Sequence, residues 1–267
     1  SDYANYLVAL GSYKSDFYSR AKKYINIAII QNPNNLNYQK LKAEILASSG
    51  DSEDALKVIA ELKKQNLNSF EYERKVNALE QFILYKISKD EKTKNYHLGY
   101  YYYLENDGPK AIRTLQGAVS QKGKLNNAFI YALKSEIYLS INEFEKAADT
   151  AKKACKIKGN LPKALITLGD LSYKKGNYRQ ALNYYKQASA ADKKDYIPLV
   201  KEAQTYQKLS NVKKAKELYA KVLKAHSDSW EAYYNVALLD KEKETIYLKK
   251  ALAINPLFES AWIELSR

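Results

Sequence analysis

Alanine recurs along this chain at a spacing that few folds can use. Ala21 and Ala55 lie 34 residues apart, as do Ala147 and Ala181, and again Ala181 and Ala215. Ala111 and Ala147 are 36 apart, which places two extra residues near Asn126-Asn127. A fixed period of this length means that one small supersecondary unit is stacked on copies of itself, each covering the apolar face of the next. Fixing the register on these alanines, as the twentieth residue of each copy, starts copies at residues 2, 36, 92, 128, 162 and 196. The eighth residue is then free to disagree, and it is Ala9, Ala43, Gly99, Ser135, Gly169 and Ala203. Small side chains at both places are what two antiparallel helices need where they cross closely. The twenty-seventh residue agrees in Ala28, Ala118, Ala154 and Ala188, with Leu62 and Val222 as exceptions.

The punctuation is helical. Glycine (9) and proline (5) are too few for the many turns of an all-β fold. Pro33 and Pro256 fall where a second helix should end, and Pro162 and Pro198 in first turns, where a missing N–H is harmless. Gly50-Asp51 and Gly176-Asn177 mark turns inside hairpins. Two stretches depart from the period. Between clean copies, 70–91 shows an apolar face of Phe70, Val76, Leu79, Phe82, Ile83 and Ile87, read as one long helix or two short ones. The copy opening at Trp230 lacks about five residues around Asp240–Thr245, so its second helix, near Lys243–Ile254, should be short. No run of 18 apolar residues offers a transmembrane helix.

The pattern resembles the tetratricopeptide repeat. The fullest copy is 162–195, with Leu168, Gly169, Gly176, Tyr178, Ala181, Tyr185 and Ala188 at the family's positions; its position 11 is Ser172, with Tyr173 one place late. The resemblance implies an all-α fold, a right-handed superhelical solenoid of antiparallel helix pairs. It is expected as a single array over 1–267, with copies near 2–35, 36–69, a degenerate 70–91, 92–127, 128–161, 162–195, 196–229, a short 230–258 and the start of a further copy at 259–267. The resemblance also implies a concave inner surface lined by positions 2, 5, 6, 9, 12 and 13 of each first helix. Carried over, these give Tyr6, Leu10 and Tyr13; Tyr96, Tyr100 and Tyr103; Phe129 and Glu136; Ile166, Asp170, Tyr173 and Lys174; Val200, Lys201, Gln204 and Lys208; and Tyr234. The expected groove is aromatic in its first half and mixes lysine, amide and apolar groups toward the end. Tyr102 falls at position 11, which faces the core. Some family members clamp a chaperone's terminal carboxylate, but here Lys40 at position 5 is followed by Glu44 at position 9, and no window satisfies that clamp.

The charge narrows the partner only a little. Net charge is +14, yet five of the 44 basic residues are arginine. Phosphate and base-edge recognition favours the guanidinium fork, so a lysine excess of this kind reads as a solvated surface and no specific nucleic acid is expected. The lysine, asparagine and tyrosine bias suits an AT-rich, bacterial genome. One cysteine and two histidines leave nothing for an internal disulfide and little for metal or nucleophilic chemistry. His97 reads as a helix-surface residue, His226 as a helix-end residue and Cys155 as a half-buried thiol. Phosphate-loop, dinucleotide, zinc-protease and serine-elbow motifs are absent, so neither catalysis nor a cofactor is expected. The expected function is a non-enzymatic scaffold binding a peptide or protein in the groove. The alternative is a cell-envelope or surface assembly component acting through self-association, as a homo-oligomer, or through attachment by its lysine-rich surface, which is also the route open to membrane contact. The chain lacks methionine even at position 1, and Glu259–Arg267 opens a repeat it does not finish. A fragment or processed form is therefore expected, in the cytoplasm or exported to the envelope.

Overall fold

The structure, a computed structural model, describes residues 1–64, 70–119 and 124–267. The joins expected at 65–69 and 120–123, and the place of the Phe70 side chain on its apolar face, lie outside the described residues. What is described is helical, with no strand among the described residues. In chain order the helices are α1 Asp2–Lys14, α2 Tyr18–Gln31, α3 Leu36–Ser48, α4 Ser52–Lys64, α5 Phe70–Ile87, α6 Glu91–Leu104, α7 Gly108–Gln116 and α8 Lys124–Ser140. They continue as α9 Phe144–Ile157, α10 Pro162–Lys174, α11 Tyr178–Ala191, α12 Ile197–Lys208, α13 Val212–Ala225, α14 Trp230–Ala237, α15 Glu244–Ile254 and α16 Glu259–Leu265. No helix among the described residues is long and apolar enough to cross a membrane. The helices group into two compact units, α1–α7 and α8–α16.

Consecutive helices pair as hairpins because their small residues meet. Ala21, Ala55, Ala111, Ala147, Ala181 and Ala215 are all 0% exposed, as are Ala9, Ala43, Ser135 and Ala203. Gly99 and Gly169 are buried too. Opposite the small residue at position 8, position 24 brings a residue whose size fills what is left: Ile25, Ile59, Leu115, Ala151, Tyr185 and Tyr219, all buried. A Cβ added at Gly169 would stand 2.4 Å from the Tyr185 ring, and one at Gly99 would stand 2.6 Å from Leu115 Cγ. At Gly169 it is the placement of the Tyr185 ring, not its size alone, that leaves no room for a methyl, since Ala203 faces Tyr219 in the next copy.

The hairpin turns are equally regular. Asp16, Gly50, Asn106, Asn142, Gly176 and Ser210, all at position 15, have positive φ between 58° and 90°. The N–H that follows each reaches back to the carbonyl of position 11, as in Phe17 to Ser12 (2.9 Å), Asn177 to Ser172 (2.9 Å) and Asn211 to Tyr206 (2.8 Å). This is the left-handed helix stop. Only two of the six are glycine; Asn and Asp tolerate the conformation through their short polar side chains, and Ser210 bears it at greater cost.

In the first unit, hairpin α1/α2 packs on α3 through Ala28, Ile25, Tyr38, Leu41 and Ile45. The irregular stretch forms one helix, α5, which lays Val76, Leu79 and Ile83 against Ala43, Ile59 and Leu62 of α3 and α4. In the second unit the same stacking runs through Ala132, Ala151, Ala154, Leu161 and Leu168, then Val200, Tyr219, Val222 and Ala232, then Ala237, Leu248, Leu252 and Ala261. Here α15 has 11 residues against 14 in α9, α11 and α13, the shortening its missing residues require. Tyr102 is half-buried rather than sealed in the core, with the Lys110 ammonium 4.1 Å above its ring.

Candidate functional site

First helices lie beside first helices within each unit, α1 against α3, α8 against α10 and α12 against α14. Their shared face carries the residues expected to meet a partner, and the two units fill it differently.

In the first unit the face is aromatic. Spacings of four and three put Tyr96, Tyr100 and Tyr103 in a row along α6. The Tyr96 and Tyr100 rings meet edge to face at 6.3 Å, and Tyr100 stacks with Tyr103 at 6.4 Å. All three are half-buried. On α1, Tyr6 stacks on Tyr38 at 5.0 Å and on Tyr3 at 6.2 Å. Leu10 packs partly into the hairpin core, and the Tyr13 hydroxyl lies 3.2 Å from Ser48 Oγ. His97 is not a simple surface residue. Its Nδ1 lies 2.9 Å from Oε1 of Gln81 on α5, a buried side chain, and burial pushes the imidazole pKa down.

In the second unit the same face is ionic. Lys163 donates to Glu136 at 2.8 Å, from α10 to α8. Lys201 of α12 approaches both carboxylate oxygens of Asp170 on α10, at 2.8 and 3.0 Å. Asp170 also accepts the Tyr185 hydroxyl at 2.6 Å. Burial, with the Asp170 charge beside it, holds the Tyr185 phenol far above its usual range. Tyr173 is half-buried, edge-on to Tyr178 at 5.3 Å. Ile166 and Gln204 are half-buried, and Lys208 is exposed. Lys174 and Phe129 are drawn toward hairpin ends. The Lys174 ammonium lies 5.0 Å from the Phe144 ring, and Phe129 lies beneath Lys158 at 4.7 Å.

One expected contact residue turns inward. Val200 is only 2% exposed and belongs to the core with Ala203 and Tyr219, so it has no surface to offer a partner. Its place follows from the crossing of α12 with α13, which needs an apolar side chain there. Tyr234 is half-buried like the face tyrosines of the first unit, edge to face with Phe258 at 4.7 Å.

Several groups on these faces escape the site positions chosen from the sequence. Glu231 and Asp195 are half-buried, and burial pushes both carboxyls up, with Lys201 and Lys163 respectively acting against it. Glu44 is likewise pushed up by burial. A signal for Glu44 existed: it holds position 9 of its copy, as Glu136 and Asp170 do. Among the described residues no group of His, Cys, Asp and Glu could hold a metal ion.

Comparison with known proteins bears on the fold. A profile described as the Fis1 C-terminal tetratricopeptide repeat matches residues 4–47, and one described as a tetratricopeptide repeat matches 172–239. No curated protein gives a significant sequence match. Among solved structures, the chain is similar to one in the APC/C hetero-tetramer Cut9–Hcn1, with a TM-score of 0.59 and 15% identity, over 94% of this chain and 52% of that one. It thus spans about half the length of that relative. It is also similar to a tetratricopeptide repeat protein from Parabacteroides merdae, with a TM-score of 0.57 and 14% identity, over 99% of this chain and 97% of that one. With small residues at the helix crossings and a left-handed stop at the hairpin turns of the six regular copies, together with these likenesses, the chain carries tetratricopeptide repeats and has an all-α helical-repeat fold.

Proposed function

We propose that this chain is a non-enzymatic scaffold that holds a peptide or protein partner on the first-helix faces of its hairpins. Repeats of this family serve in general as protein-interaction scaffolds. The observation that carries the reading is the row Tyr96, Tyr100 and Tyr103, three rings on one helix face, each meeting the next and half-buried. Tyrosine offers large contact area with few rotors and a polar tip, which suits peptide capture. Tyr6 and Tyr13 extend the same chemistry. Lys201, Asp170 and Glu136 supply polar contacts once a partner competes for their internal pairs, and Ile166, Tyr173, Gln204 and Lys208 frame them. The test is partner capture by the full chain and by its Tyr96→Ala/Tyr100→Ala/Tyr103→Ala variant, with helical circular dichroism as the control for folding. A folded variant that captures the partner as well as the parent does would refute the reading.

A second reading, assembly through self-association, is favoured by one feature: Ile246, Leu257, Trp262 and Ile263, on or beside α15 and α16, are all more than half exposed. Sedimentation across a concentration series addresses it, and a monomer throughout removes it. Attachment through the lysine-rich surface is read separately, by binding to anionic vesicles at low and high salt.

A further inference from the structure

Glu136 and Asp170 hold the ninth position of their copies, and each takes a lysine from the next hairpin, Lys163 and Lys201. Glu44 of α3 holds the same position, but its next neighbour in the chain after α4 is the irregular helix α5. No lysine arrives there at bonding distance: among the described residues, no hydrogen bond or ion pair closes on the Glu44 carboxylate. Lys40 and Lys86 are the cations acting on it from farther away. Aromatic rings share this neighbourhood: Phe82 packs against the core that holds Ala43 and Ala47, on either side of Glu44 in α3. Tyr101 of α6 feels the Glu44 charge, and its ring lies 5.3 Å from that of Phe82 on α5. The Lys86 ammonium lies 5.4 Å from the Phe82 centroid. A carboxylate half out of water, two rings in contact and a tethered ammonium over one of them are the components of an ammonium-binding site. Burial penalises the unpaired Glu44 charge, and an incoming cation relieves that penalty.

We propose that Glu44, Phe82 and Tyr101 form a subsite for a lysine side chain of the partner, with Lys86 a tethered competitor at its edge. This rests on the scaffold reading and names the chemistry that one part of the face selects. The test is an NMR titration of the full chain with N-acetyl-lysine methylamide, against its uncharged counterpart N-acetyl-norleucine methylamide, following the Phe82 and Tyr101 ring signals. The lysine probe shifts them saturably and the norleucine probe does not. Glu44→Gln weakens the lysine probe about tenfold, Glu44→Asp restores part of the loss, and Lys86→Ala tightens binding severalfold. Equal response to both probes, an unchanged affinity in a folded Glu44→Gln variant, or no gain in Lys86→Ala overturns the subsite. The triple tyrosine variant separates the two proposals. Under both it loses partner capture and keeps the lysine probe; undiminished capture by a Glu44→Gln variant that has lost the probe would overturn the assignment to a partner lysine and leave the scaffold reading standing.

Discussion

In the first unit the inner positions of α1 and α6 hold Tyr6, Tyr13, Tyr96, Tyr100 and Tyr103. In the second, the same register holds Glu136, Asp170, Lys163 and Lys201, cross-linked from one hairpin to the next. The contrast reaches the interior. Position 7 is Val8, Lys42 and Leu98 in the first unit and Lys134, Leu168 and Glu202 in the second, where Lys134 and Glu202 are only 7% and 5% exposed. One backbone plan therefore tolerates two chemistries, because the small residues at positions 8 and 20 set the hairpin and leave its faces free. Aromatic contact is largely indifferent to salt, whereas half-exposed ion pairs weaken with it. The two units should respond differently to the same perturbation.

The widest separation is expected at the paired glycines. Gly169→Ala presses a methyl into the Tyr185 ring, which is fixed by its hydrogen bond to Asp170, and should cost about 3 kcal/mol. Gly99→Ala meets Leu115, an aliphatic side chain able to change rotamer, and the helix gains from losing a glycine, so the net cost should be about 1 kcal/mol. Urea unfolding midpoints decide; equal costs would mean that the Tyr185 ring is not held in place.

The buried charge comes next. Burial raises the Glu202 carboxyl above its ordinary value of 4.5, with the Ser189 hydrogen bond and nearby lysines opposing. The folded state therefore prefers the protonated acid. Its contribution is present at low pH and is lost as pH rises from 4.5 through the folded value. Glu202→Gln keeps an acceptor for Ser189 and should stabilise by about 1 kcal/mol near neutral pH. That gain should vanish below about pH 4, where both states of the parent are protonated. Thermal midpoints at both pH values check the sign.

Smaller effects follow at the exposed pairs and turns. Asp170→Asn should cost about 1 kcal/mol, because it weakens the bonds from both Lys201 and Tyr185; Glu136→Gln, in a more exposed pair, should cost roughly 0.3 kcal/mol. Both differences should shrink in high salt, and a salt-independent loss at Asp170 would mark it as packing instead. Ser210→Gly should stabilise by about 0.5 kcal/mol, by removing a side chain from a positive-φ position. Asn142→Gly should give less, since asparagine already tolerates that conformation. Paired unfolding curves measure these.

The alanine spacing alone determined the hairpin, its period and the burial of Ala9, Ala43, Ser135 and Gly169, because a close helix crossing admits only small side chains whatever surrounds it. It also marked the break at 70–91 and the shortened helix before Ile254. Tertiary packing decided which face residues have surface left to use. Val200 sits at a face position by count yet packs inward, because a neighbouring helix must be filled at that height. Asp170 meets Lys201, and Glu44 meets no lysine, because an ion pair between hairpins depends on what the next hairpin presents across the gap. That distance is set by how whole helices stack, and no repeat register encodes it.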